Sequence, residues 1–277
     1  MKRRLIQLCA ALLYNLNLKG FAEASIYKGK SKGLCVPGLN CYSCPGAVGS
    51  CPLGTLQNAL SAMDRKLPFY ILGVLLLFGV TMGRTICGFL CPFGLVQELL
   101  FKIPVPKIKK NPVTRELSKV KYVILAVFVI ILPVVFKTVS GLPVPAFCKY
   151  ICPAGTLEGG IPLVLLDESL GGLAGALFNW KVLVMAVILV SACFVYRSFC
   201  RFLCPLGAIY SLFAPAALLG VNIDRDACID CGRCVRTCKM DIRQVGDREC
   251  IQCGECMKEC NVDAIYWKKP WNVNGKI

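Results

Sequence analysis

The chain has 277 residues, 56% of them hydrophobic, with a mean hydropathy of +0.62; this is too apolar for a soluble domain of its length and makes an integral membrane protein the expected class. Twenty cysteines and no histidine exclude His-ligated haem, Rieske centres, blue copper, His-bound zinc and Ser-His triads, so any redox or metal chemistry must rest on thiolates. Residues 221–277 hold ten Lys/Arg against nine Asp/Glu, so the net charge of +16 belongs almost wholly to residues 1–220, as a membrane-topology signal; nucleic acid is not an expected partner.

Residues 5–24 form a weak apolar segment, broken by Asn15, Asn17, Lys19 and Glu23, that either spans or lies on the membrane surface. No small-residue cleavage site follows it, so it does not read as a removable signal peptide. Clear apolar segments follow at 67–83, 122–139 and 177–196, the last with Lys181 near its start, where its stem can snorkel. If all four span, three basic groups face the cytoplasm: Lys2, Arg3 and Arg4; the basic loop 102–121; and Arg197 with Arg201. The loop 140–176, with its glycine run at 167–178, is then outside. Segment 25–66 would also be outside, and its Lys28, Lys30, Lys32, Arg65 and Lys66 run against the rule. Lone Cys9 and Cys193 are expected to be small buried packing residues.

A phrase of the form C-x3-C-P-x-G recurs at Cys87/Cys91, Cys148/Cys152 and Cys200/Cys204, with a partial copy, CPLGTLQ, from Cys51. In a helix, positions i and i+4 share a face, so each pair presents two sulfurs together. Proline suits the first turn of a following helix, so each phrase reads as an inward-facing break between two helical pieces. The topology sorts them into an inner site of Cys87, Cys91, Cys200 and Cys204, and an outer site of Cys148 and Cys152 with two of Cys41, Cys44 and Cys51. Four thiolates per site is the ligand number of an iron–sulfur cluster. Competing readings are disulfides on the oxidising side and a redox dithiol or packing cysteines on the inner side. Gln97 and Glu98 are candidates for a quinone site, although a solvated or capping helix end is the more ordinary reading.

The C-terminal residues carry the most specific signal. CIDCGRCVRTC at 228–238 and CIQCGECMKEC at 250–260 are two C-x2-C-x2-C-x3-C runs. In the two-cluster arrangement the fourth cysteine of each run ligates the other cluster. One [4Fe-4S] cluster would use Cys228, Cys231, Cys234 and Cys260, and the other Cys250, Cys253, Cys256 and Cys238. Structural zinc or disulfides are the alternative. The expected architecture is an α-helical membrane domain of about four spans with broken Cys-Pro segments (1–220), then a small α+β two-cluster ferredoxin domain (221–277) with strands near 221–225 and 264–268.

Paired C-x3-C-P motifs followed by eight ferredoxin cysteines resemble the NapH family, with relatives in the membrane and C-terminal parts of NosR and in the copper-handling CcoG proteins. Lys239 and Asn261 stand where two-cluster ferredoxins often have proline. The resemblance implies membrane electron transfer by an oxidoreductase or electron-transfer subunit; the paired membrane cysteines add the expectation of one or two further clusters there, and the Lys/Arg pattern puts the ferredoxin domain on the cytoplasmic side of the cell membrane. The resemblance also implies a quinone pool or a redox partner protein as electron exchanger, any flavin being supplied by that partner. The CcoG relatives imply an alternative: a copper reductase or cofactor-assembly factor, for which soft thiolates are suited.

Overall fold

Helix lengths differ from the lengths of the apolar runs. In the computed structural model, which describes residues 2–61, 68–141, 144–166 and 175–268, two helices are long and apolar enough to cross a membrane: Pro112–Val139, with 28 residues, and Ala176–Phe194, with 19. Only 17% of each apolar window is buried inside the protein, so the apolar faces point outward, unlike those of a soluble core helix. The 67–83 run yields a 13-residue helix, Phe69–Thr81. At 1.5 Å per residue it is about 20 Å long, short of a hydrocarbon core of about 30 Å. The 5–24 run yields Lys2–Tyr14 and a single turn at Lys19–Ala22. The glycine run at 167–178 lies largely outside the described residues, as do Arg65 and Lys66.

Each Cys-Pro phrase builds the same unit. A five-residue stub carries the first cysteine: Thr85–Phe89, Ala146–Tyr150 and Ser198–Phe202. The amide of the second cysteine returns to the carbonyl five residues back, Cys91 to Ile86, Cys152 to Phe147 and Cys204 to Phe199, which closes the stub. The following proline excludes helical backbone at the cysteine, so Cys91 (φ −85°, ψ 115°) and Cys204 (φ −75°, ψ 110°) are extended. New helices then start at the prolines, Pro92–Leu100 and Pro205–Phe213, and Pro52–Ser61 follows Cys51 in the same way. Two π-helical stretches, Leu125–Ile131 and Gly155–Gly160, end just before Pro133 and Pro162, where the missing amide breaks the regular ladder.

At the C-terminal end, Gly220–Ile223 pairs antiparallel with Ile265–Lys268, Val221 opposite Trp267. Between the strands, Cys234 lies on the short helix Arg233–Thr237 and Cys256 on the turn Glu255–Glu259. Gly232 (φ +65°) and Gly254 (φ +74°) start these turns in the left-handed region that glycine enters freely. Met240, Ile242, Cys250 and Ile251 belong to the same apolar core as the Cys87, Cys91, Cys200 and Cys204 stubs.

Three basic residues that read as topology signals, Lys121, Arg197 and Arg201, turn inward, and so does Arg84. Arg84, Lys121 and Arg197 are fully buried and Arg201 nearly so. Glu249 pairs with Arg84 at 3.0 Å and Lys121 at 2.5 Å; Asp241 pairs with Arg201 at 2.7 Å and Arg115 at 3.0 Å. These two carboxylates dock the ferredoxin segment onto the helices. Glu98, expected at a solvated or quinone-facing helix end, is buried and accepts from Arg3, Arg197 and Tyr196. Burial pushes its carboxyl up, but Arg197 and Arg3 outweigh this and hold it below the usual range. Cys9 is exposed and Cys193 half-buried, so neither is the buried packing residue expected of it.

Glu98→Ala leaves Arg197 buried and uncompensated, so a loss of about 3–5 kcal/mol is expected. It should appear as a lowered unfolding midpoint in detergent, while Lys119→Ala, in an exposed pair with Glu116, should change the midpoint little.

Candidate metal centres

Four sulfurs of the ferredoxin segment surround one cavity. Cys238, Cys250, Cys253 and Cys256 line a space of about 180 Å³, with Tyr196 and Met240 beside them. These are the first three cysteines of the second run and the fourth of the first. The Gln252 amide donates to the Cys250 sulfur at 3.4 Å. Cys234 neighbours Cys228 and Cys231, and Cys234 and Cys260 pack on one small cluster with Val221 and Val245.

The membrane cysteines gather into two further groups. Cys87, Cys91, Cys200 and Cys204 are all buried, and Cys204 stands within electrostatic reach of the other three. Cys41, Cys51, Cys148 and Cys152 line a cavity of about 230 Å³ together with Asn58 and Lys181. Of the three N-terminal candidates, Cys41 and Cys51 reach this cavity; Cys44 is buried beside Lys32, and Cys35 turns to the Thr55 hydroxyl.

The fixed glycine explains itself at the sulfur. The Gly207 amide donates to Cys204 at 3.3 Å and that of Gly155 to Cys152 at 3.4 Å; Gly94 and Gly54 contact Cys91 and Cys51 alike. Cys152 and Cys204 therefore each accept a glycine amide at the start of the helical piece that follows, while Cys91 holds the same N-cap place without that hydrogen bond. Two arginines, each three residues before a first cysteine, cross between halves. Arg84 donates to the Cys200 carbonyl at 3.4 Å, and Arg197 donates to the Cys87 carbonyl. Two glutamines, each six residues after a Cys-Pro cysteine, also reach across: Gln97 donates to the Cys200 sulfur and Gln57 to the Cys148 sulfur. Gln97 is thus fully buried in contact with a candidate ligand, neither a solvated end nor part of an open cleft. Arg84 and Gln57 were not singled out in the sequence, and Arg197 was read only as a topology signal, although their repeated spacing from the cysteines was there to be read.

The groups are close to one another. The backbone amide of Leu39 faces the Cys91 sulfur, and the next amide, Asn40, faces the Cys51 sulfur. One sulfur of each group, Cys91 and Cys51, therefore lies against the same short stretch of chain. On the other side, Gly88, between Cys87 and Cys91, lies against the loop of the second ferredoxin run. A Cβ added at Gly88 would stand 2.4 Å from the Ile251 carbonyl oxygen and 4.0 Å from the Cys253 Cα.

Among the described residues, no three His, Cys, Asp or Glu side chains are grouped closely enough to hold a single metal ion. A cubane cluster binds each thiolate at a separate iron and needs more widely spaced sulfurs around a cavity. Four thiolates with amides aimed at them fit that group. Gly88→Ala should force the Ile251 backbone away, at an overpacking cost of about 1–3 kcal/mol. Proteolysis within 240–260 should quicken, read as a shortened digestion half-life against wild type.

Comparison with known proteins agrees with this donor set. Segments 50–70, 67–111, 122–161 and 177–222 match a family described as "4Fe-4S binding domain"; the first contains the partial copy of the Cys-Pro phrase at Cys51 and each of the other three a full one. Residues 221–244 match a second family with the same description. The putative electron transport protein YccM of Escherichia coli is 23% identical over 72% of this chain and 55% of its own length. The methylamine utilization ferredoxin-type protein MauN of Paracoccus denitrificans is 26% identical over 70% of this chain and 62% of its own. The regulatory protein NosR of Pseudomonas aeruginosa is 30% identical over 57% of this chain and 20% of its own. The chain spans about half to two thirds of the length of most curated relatives it matches. No solved structure matches it. With matches over more than half of its 277 residues and a ferredoxin-type segment behind them, the chain belongs to the 4Fe-4S binding domain family, and its similarity to NosR agrees with the NapH/NosR-like resemblance.

Proposed function

We propose that the protein carries electrons through the membrane along four thiolate-held [4Fe-4S] sites. The ferredoxin segment supplies two, on the cytoplasmic side by the positive-inside rule. Cys87, Cys91, Cys200 and Cys204 hold the third, and Cys41, Cys51, Cys148 and Cys152 the fourth. The four apolar segments form the membrane part, with the Cys-Pro stubs buried among them. The observation that carries this reading is the pair of consecutive amides, Leu39 and Asn40, each facing a sulfur of a different membrane group. Cysteine groups that share one short stretch of backbone suit electron passage better than two independent structural sites.

A cluster bound at each site supplies one-electron storage. The chain holds the sulfurs on helix N-termini, keeps water out by burial, and sets the surrounding charge. Arg84 and Arg197, fully buried, offset the negative charge of the inner thiolates. Electrons leaving the outer group pass to a partner redox protein or to the quinone pool. The electron-transfer and ferredoxin-type descriptions of YccM and MauN support the reading.

Iron and acid-labile sulfide per chain test it in anaerobically purified protein. Four cubanes require about sixteen irons, and Cys91→Ser should lose about four while leaving the ferredoxin EPR signals in place. About eight irons, unchanged by Cys91→Ser, would overturn it; copper bound to the membrane cysteines in their place would favour the metal-reductase alternative.

A further inference from the structure

Gln57 and Gln97 occupy the same position in two copies of the repeat, six residues after Cys51 and Cys91. Both are fully buried, and both make the same three bonds. Gln97 Nε2 donates to the Cys200 sulfur at 3.0 Å and to the Phe93 carbonyl at 3.3 Å, while its Oε1 accepts from the Phe199 amide at 3.0 Å. Gln57 Nε2 donates to the Cys148 sulfur at 3.2 Å and to the Leu53 carbonyl at 3.3 Å, while its Oε1 accepts from the Phe147 amide at 2.9 Å. In the other two copies the position is Glu158 and Tyr210, which bind the Cys41 amide and the Pro37 carbonyl instead. Among the described residues, side-chain amide donation to a sulfur is thus one glutamine per membrane group.

Packing alone does not call for an amide here, since methionine has nearly the same shape and belongs more readily in an apolar interior. An N–H aimed at a ligand sulfur favours the more negative, reduced state of the site. We infer that Gln97 sets the reduction potential of the inner site and Gln57 that of the outer, each acting through one ligand sulfur. This rests on the cluster reading above.

The test is an EPR-monitored redox titration of the whole protein in detergent, comparing wild type with Gln97→Met, Gln57→Met and Gln97→Glu. Gln97→Met should lower the reduced-to-oxidised ratio of the inner site about tenfold at fixed potential, about 59 mV for one electron. The outer and ferredoxin midpoints should stay in place. Gln57→Met should move the outer midpoint alone. Gln97→Glu keeps the acceptor for the Phe199 amide but makes the donor proton titratable, so the inner midpoint should fall as pH rises, more steeply than in wild type.

An inner midpoint unmoved in Gln97→Met at full iron content would overturn the inference and leave the cluster reading intact. So would loss of the inner cluster in Gln97→Met combined with a wild-type midpoint in Gln97→Glu at every pH, because that pattern is purely structural. Wild-type protein without membrane-site signals would overturn the cluster reading, and this inference with it.

Discussion

Two buried guanidiniums that reach across the molecule hold its centre. Arg84 and Arg197 sit at matching places in two copies of the repeat, and each donates to the carbonyl of the other copy's first cysteine. Burying a charge is costly unless it is paired and hydrogen-bonded, so these side chains dictate where carboxylates must go. Glu98 answers Arg197 from the helix after Cys91, and Glu249 answers Arg84 from the ferredoxin segment. Arg197 adopts a left-handed backbone (φ 50°), an unfavourable conformation for a side-chain-bearing residue that its bonds to Glu98 and Cys87 hold in place. One set of charges therefore joins the helices, the inner cysteines and the ferredoxin segment.

Around that centre a short local rule repeats. Proline forces the preceding cysteine out of helical backbone and starts a new helix, and glycine two residues later turns its amide to the sulfur. The outcome is a buried cysteine at a helix start, reached from inside the protein, with a glycine amide turned toward its sulfur at Cys152 and Cys204. Repetition alone would leave the groups apart. The segment from Pro37 to Cys41 brings them together, held by Tyr210 at one end and Glu158 at the other, with its amides facing both groups. An N-terminal stretch that departs from the repeat is thus what makes the two membrane groups neighbours.

The basic loop shows how charge is used twice. Lys110 donates to the Val235 carbonyl, Arg115 pairs with Asp241, and Lys121 is buried against Glu249. Charges that the sequence offers as a topology signal thus form the dock for the C-terminal segment.

Composition and spacing alone determined the chemistry. Twenty cysteines without histidine, two ferredoxin runs and a recurring Cys-Pro phrase point to thiolate-bound iron and to breaks between helical pieces, because these depend on neighbours a few residues away. The short strands fell near their expected places for the same reason. Contacts between distant residues decided the rest. The presence of Cys41 and Cys51, and not Cys44, at the cavity with Cys148 and Cys152, the inward turn of Arg84, Arg197 and Lys121, and the burial of Gln97 and Glu98 all depend on partners far along the chain. Hydropathy reports how apolar a segment is, and it is silent on which sulfur, guanidinium or carboxylate another segment will bring to it.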